Sequence, residues 1–199
     1  VVKTAISRED IVPMDIYARE RSARRQRVGE HKRLRRLPVG PDITFHFESY
    51  ETMLHQIHEM LFIERGGEAQ IEDELRAYNP LVPDGRTLVA TMMIEIEDPL
   101  RRARVLRELS GIEGTISLTF DGMTVVAEPE GDIDRTSADG KTSSVHFFKF
   151  RFTPEQIARF CRTGTRVLVA IAHPAYDHMA AFPEAMRAAL SEDFARVTH

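Results

Sequence analysis

Two rhythms run through the chain. Apolar residues recur every three or four positions in some stretches, as a helix face requires, and every second position in others, as a half-buried strand requires. Ile71, Leu75 and Tyr78 mark a helix that should end before the proline-rich run Asn79-Pro80-Leu81-Val82-Pro83-Asp84-Gly85. Pro80 biases Asn79 away from the α region, and neither proline offers a backbone donor, so this run is predicted to be a stiff turn. Beyond it, Leu88, Ala90, Met92, Ile94 and Ile96 alternate with Val89, Thr91, Met93, Glu95 and Glu97, predicting a central strand whose far end reaches water.

Similar patterns place the remaining elements. Ser7-Arg8-Glu9-Asp10 can open a short helix, and Asp15 can cap a second one running from Tyr17 towards Leu34. Pro38-Val39-Gly40-Pro41 is predicted to turn, and Ile43, Phe45 and Phe47 to form a strand. Ser49 can cap a helix carrying Tyr50, Met53, Leu54, Ile57, Met60 and Leu61 inward, which Gly66-Gly67 breaks. Asp98-Pro99 opens another, with Leu100, Ala103, Leu106 and Leu109 inward and Gly111 beyond its end. Asp121-Gly122 joins residues 115–120 to 123–128 as a type I′ hairpin, which puts Phe120, Met123, Leu118, Val125, Ile116 and Ala127 on one face. His146 shares a strand face with Phe148, Phe150 and Phe152, where a satisfied core histidine is the commoner outcome. Thr153-Pro154-Glu155-Gln156 is a capping box for a helix that buries Ile157, Phe160 and Cys161. Val167, Val169 and Ile171 form the last expected strand, His173-Pro174-Ala175-Tyr176 turns off its end, and Pro183 opens a closing helix.

The hairpin disfavours an all-parallel sheet. The expected fold is therefore a single α+β domain over residues 1–199: a mixed, largely antiparallel sheet of five to six strands covered by helices. Its 199 residues, 42% of them hydrophobic, suffice for one sizeable core. One cysteine rules out an internal disulfide and an iron–sulfur cluster held by this chain alone. No apolar run nears a membrane span and no signal peptide is evident, so the expected setting is the cytoplasm.

Charge divides the chain unequally. Residues 1–37 carry 11 Lys/Arg against 5 Asp/Glu, leaving 16 against 26 for residues 38–199. Residues 1–37 thus form a basic helical arm ahead of an acidic α+β core. Its basic residues surround the helix without aromatic interleaving, so a surface position or a protein partner is favoured over nucleic acid.

Candidate chemistry is sparse. His55, His58 and Glu59 lie within one turn of each other and form the one ligand-like cluster, a candidate site for a divalent metal. The commoner alternative is an exposed, hydrogen-bonded His/Glu face. HEMLF at 58–62 lacks the second histidine of the zinc-protease motif, with Phe62 in its place. Gly140-Lys141-Thr142 ends like a phosphate-binding loop, but Arg135 stands where that motif needs glycine and a strand follows where it needs a helix. No nucleotide fingerprint or nucleophile elbow is present.

AYNPLVPDG at 77–85, RTSADGKTSSVHFFKF at 135–150 and HPAY at 173–176 together resemble a bacterial family designated domain of unknown function 3501. The resemblance spans nearly the whole chain and implies no established activity. Its genomic associations imply a redox or peroxide-stress setting. The family pattern matches Glu59 but has glutamine where this chain has His58 and an aromatic where it has His55. Interest therefore shifts to the polar members of the three motifs: Tyr78, Asn79, Asp84, His146, His173 and Tyr176. Two functions are consistent with these residues. One is an accessory or binding protein of a bacterial redox system, in which the three matching loops form a ligand or protein site and the basic arm contacts an acidic protein partner. The other is a metal-dependent enzyme with His146 and His173 at strand ends and Glu59 or Asp84 as carboxylate.

Overall fold

The structure, a computed structural model, describes residues 2–130 and 141–194. A short 3₁₀ turn, Arg8–Asp10, precedes helix α1 (Met14–Arg33). Strands β1 (Arg36–Val39) and β2 (Ile43–Phe47) lead to α2 (Tyr50–Glu64) and α3 (Glu68–Tyr78). Then come β3 (Thr87–Ile94), α4 (Pro99–Glu108), β4 (Ile116–Phe120), β5 (Met123–Pro129) and β6 (Val145–Arg151). The chain continues through α5 (Pro154–Cys161), β7 (Leu168–His173), β8 (Tyr176–Ala181) and α6 (Glu184–Ser191). Several boundaries follow the expected chemistry. Ser49, Asp98 and Thr153 each accept a backbone N–H at a helix start, and Asp121 and Gly122 both adopt positive φ in the hairpin turn.

The strands form one sheet of eight in the order β1-β2-β3-β6-β5-β4-β7-β8, and every pairing is antiparallel. The first and last strands approach each other, so the sheet is a nearly closed barrel. Phe45, Phe47, Leu88, Met92, Leu118, Phe148, Phe150 and Val169 fill its inside, as an eight-stranded barrel of this kind requires. One mouth is closed by Leu106 and Leu109 of the α4 segment together with Ile112. The other is closed by Phe160 of α5, Met186 and Leu190 of α6, and Phe194. A second apolar cluster joins Val89, on the outer side of β3, to Met53, Ile57 and Leu61 of α2 and Ile71 and Leu75 of α3. The helical layer thus covers one side of the barrel. Among the described residues, no helix is long and apolar enough to cross a membrane.

The structure corrects the sequence expectations at several points. Among the described residues the sheet has eight strands rather than five to six, and none of their pairs is parallel. The two additional strands are β1, read as a turn because of Pro38, and β8, whose sequence Tyr-Asp-His-Met-Ala-Ala lacks β-branched residues. Both are edge strands of the open sheet, where proline and polar residues are tolerated. Asn79 is in the α region despite Pro80. Its side chain accepts the Ile6 N–H at 2.7 Å and donates to the Ile6 carbonyl at 2.9 Å, which holds the residue in place. Pro13, not Asp15, stands at the N-cap position of α1, and no side chain makes a capping hydrogen bond there. Leu100 is 84% exposed, because α4 turns only its Leu106 side into the barrel mouth.

Candidate functional site

The His/Glu cluster of α2 faces α1. Only Tyr17 of α1 is fully buried, and Arg21, Arg24, Val28 and His31 continue its stripe at helical spacing as half-buried residues. Tyr17 donates its hydroxyl to Glu59 Oε1 at 2.7 Å, and Arg21 grips the same carboxylate with Nε and Nη2 at 2.9 and 2.8 Å. Arg21 also stacks on Phe62, its guanidinium carbon 4.6 Å from the ring centroid. The guanidinium, with the phenol, holds the Glu59 carboxyl down at about 2. Burial and the neighbouring carboxylate push the Tyr17 phenol up.

His58 is buried, 1% exposed, and does not belong to an exposed His/Glu face. Its Nε2 accepts the Val12 N–H at 3.1 Å, and its other nitrogen bonds the Leu54 backbone. Burial pulls its pKa down to about 4, so the ring is neutral at physiological pH and both nitrogens are occupied. His55 Nδ1 lies 3.3 Å from the Tyr17 hydroxyl. Among the described residues, no group of three His, Cys, Asp or Glu is arranged to hold a metal ion. The α2 cluster binds the arm. The sequence signal for this was the spacing of Tyr17 and Arg21, obscured because α1 has so few apolar residues.

The motif residues are also engaged within the fold. Asn79 fastens the N-terminal segment through Ile6, and Tyr78 packs beside the α2–α3 cluster. Asp84 accepts the Arg86 N–H and the Thr87 hydroxyl, each at 2.9 Å, forming the turn into β3. His146 Nε2 lies 2.8 Å from the Ser143 carbonyl and 3.2 Å from the Thr142 hydroxyl. His173 donates from Nε2 to the Ser110 carbonyl at 3.1 Å and accepts the Ala175 N–H at Nδ1. Tyr176 donates to the Val39 carbonyl at 2.8 Å and accepts the Asp42 and Ile43 N–H groups at 3.0 and 3.1 Å. His146, His173 and Tyr176 come to the same barrel mouth, under α4. Asp84 precedes β3 at the opposite end, and Glu59 lies outside the barrel on α2. The four groups of the metal-enzyme reading are therefore not brought together. Residues 135–140 of the second motif, including the glycine and arginine of the phosphate-loop comparison, lie outside the described residues.

Several charges of α1 are exposed. Arg19 pairs with Asp15 and Arg24 with Glu20. Arg25, Arg27, Lys32 and Arg33 are exposed and have no ion-pair partner among the described residues.

This arrangement has a relative of known structure. The family described as "Protein of unknown function (DUF3501)" matches residues 5–194. The chain belongs to that family. A crystal structure of a novel protein of unknown function from Burkholderia pseudomallei K96243 is similar over 96% of this chain and all of its own, with a TM-score of 0.88 and 34% identity. A comparison with curated proteins found no match.

Proposed function

We propose that this member of the DUF3501 family is an accessory, partner-binding protein whose docking element is α1 with its exposed basic residues, in the redox or peroxide-stress setting that its family resemblance implies. The observation that carries the reading is the unequal use of polar groups. The motif histidines, Tyr176, Asn79 and Asp84 are committed to internal hydrogen bonds, whereas Arg25, Arg27, Lys32 and Arg33 are free of ion pairs among the described residues. Such a cationic helix favours an acidic protein partner and accelerates its encounter more than it tightens the final complex.

The test is a quantitative pull-down from the native host, comparing the full chain with a variant carrying R25E, R27E, K32E and R33E. An acidic redox protein retained by the natural chain, released by moderate salt and lost from the variant supports the proposal. No partner above background, or equal capture by both chains, overturns it.

A further inference from the structure

Among the described residues, the helical layer covers one side of the barrel. Over β3 the helical layer buries Val89, but the outward positions of β5, β4, β7 and β8 are all partly or fully exposed. The strand register aligns Val126, Ser117, Ala170 and Met179 in one row across these four strands. The next row is Thr124, Thr119, Leu168 and Ala181. Neither row holds a charge, in a chain that is 29% Asp, Glu, Lys and Arg. Met179 and Val126 are 66% and 62% exposed. They stand at the two ends of one row, with the small residues Ser117 and Ala170 between them.

Its edges carry opposite charges. Asp177 lies two residues beyond Met179 on β8, and Arg166 lies two residues before Leu168, at the other end of the same face. Both are exposed, and neither forms an ion pair among the described residues. Glu128, at the acidic end, is already paired with Arg151 at 2.7 Å.

We propose that two copies of this chain associate face to face through the outer side of β5, β4, β7 and β8, about a two-fold axis crossing the strands between the two rows. That operation exchanges the rows. Met179 is then placed over the partner's Ala181, and Leu168 over the partner's Ala170, large residue against small. Asp177 and Arg166 each stand about 10 Å from the axis, three residues of extended chain, so Asp177 of one copy meets the partner's Arg166 twice over. Such an interface is isologous and closes at two copies. Eight row positions and two edge charges cover only about 300–400 Å² per copy on strand spacings, against about 800 Å² in a stable complex. The association is therefore weak and concentration-dependent. It does not use the basic residues of α1.

Sedimentation equilibrium of the full chain, at about 1–200 μM, tests the proposal. Reversible dimerisation is expected in that range, with M179K, V126K and D177R each weakening it at least tenfold. The D177R/R166D pair should recover most of the D177R loss. Because Met179 and Val126 are exposed on different strands, a local folding defect in one variant would not be shared by the other. A monomer throughout the range overturns the proposal. So does a dimer indifferent to both lysine variants, or a charge exchange that recovers nothing.

Discussion

The Tyr17 ring lies parallel to His58, with centroids 4.9 Å apart and planes 9° from parallel, while the same imidazole accepts the Val12 N–H from the segment leading into α1. The arm is thus held by a neutral histidine. Protonating Nε2 would replace the acceptor with a second donor facing Val12 and place a charge beside Arg24 and His55.

A pH dependence follows from this geometry. His58 has its pKa lowered from 6.5 to about 4, so between these values the unfolded chain binds a proton that the native chain excludes. Stability is full above pH 6.5 and falls as the pH drops towards 4, by about 3 kcal/mol from this group. Urea unfolding at pH 7.0, 5.5 and 4.5 should show the decline. In H58Q, whose amide can accept the Val12 N–H without titrating, the decline should be markedly shallower. An unchanged slope would show that another group governs it.

The Glu59 carboxylate acts at lower pH. Its value is lowered from 4.5 to about 2, chiefly by Arg21, so its contribution is complete above 4.5 and disappears as the pH falls through that interval. E59Q should cost about 1–2 kcal/mol at neutral pH, because the pair is partly exposed but the Tyr17 hydroxyl also loses its charged acceptor. Thermal unfolding of E59Q beside Y17F measures the two parts. Losses that simply add in the double variant would mean that Tyr17 and Glu59 do not stabilise each other.

Much of the fold was legible because local chemistry and the tertiary fold agree. The capping residues Ser49, Asp98 and Thr153, the Asp121-Gly122 turn and the alternation in β3 and β6 each determine a local element. Barrel closure was not legible. It depends on β1 and β8, short edge strands of ambiguous composition, and on Tyr176 reaching residues more than 130 positions away. The candidate site was legible as a set of residue types but not as a set of contacts. His58 and Glu59 were recognisable as ligand-like, and nothing in α2 alone could reveal that Tyr17, Arg21 and Val12 occupy them.

Gly40 tests the closure. It has φ +72°, and a Cβ there would lie 2.6 Å from the Tyr176 hydroxyl and 2.8 Å from the His178 ring. Left-handed strain and the clash with the hydroxyl that bridges β1 and β2 combine, so G40A should lose about 2–4 kcal/mol. Y176F removes the same bridge without strain and leaves the Asp42 and Ile43 N–H groups without their acceptor, at a cost of about 1–3 kcal/mol. The double variant relieves the clash with the hydroxyl and should cost less than the sum. Simple additivity in chemical unfolding would show that the two positions do not form one closure.

The Arg35–Asp193 pair joins the end of the arm to the segment after α6. Arg35 donates to both Asp193 oxygens at 2.8 and 2.7 Å and also to the Glu48 and Ala189 carbonyls, and both side chains are buried. Two charges removed from water together need each other more than they stabilise the fold as a pair. D193A should therefore cost about 3–5 kcal/mol, by leaving the guanidinium buried without its counter-charge. R35M/D193L, which removes both charges and retains apolar volume, should recover most of that loss. Equilibrium unfolding of the three chains decides the matter: if the apolar pair is no more stable than D193A, the contact is needed for its hydrogen bonds to α6 and the β2 end, not for charge compensation.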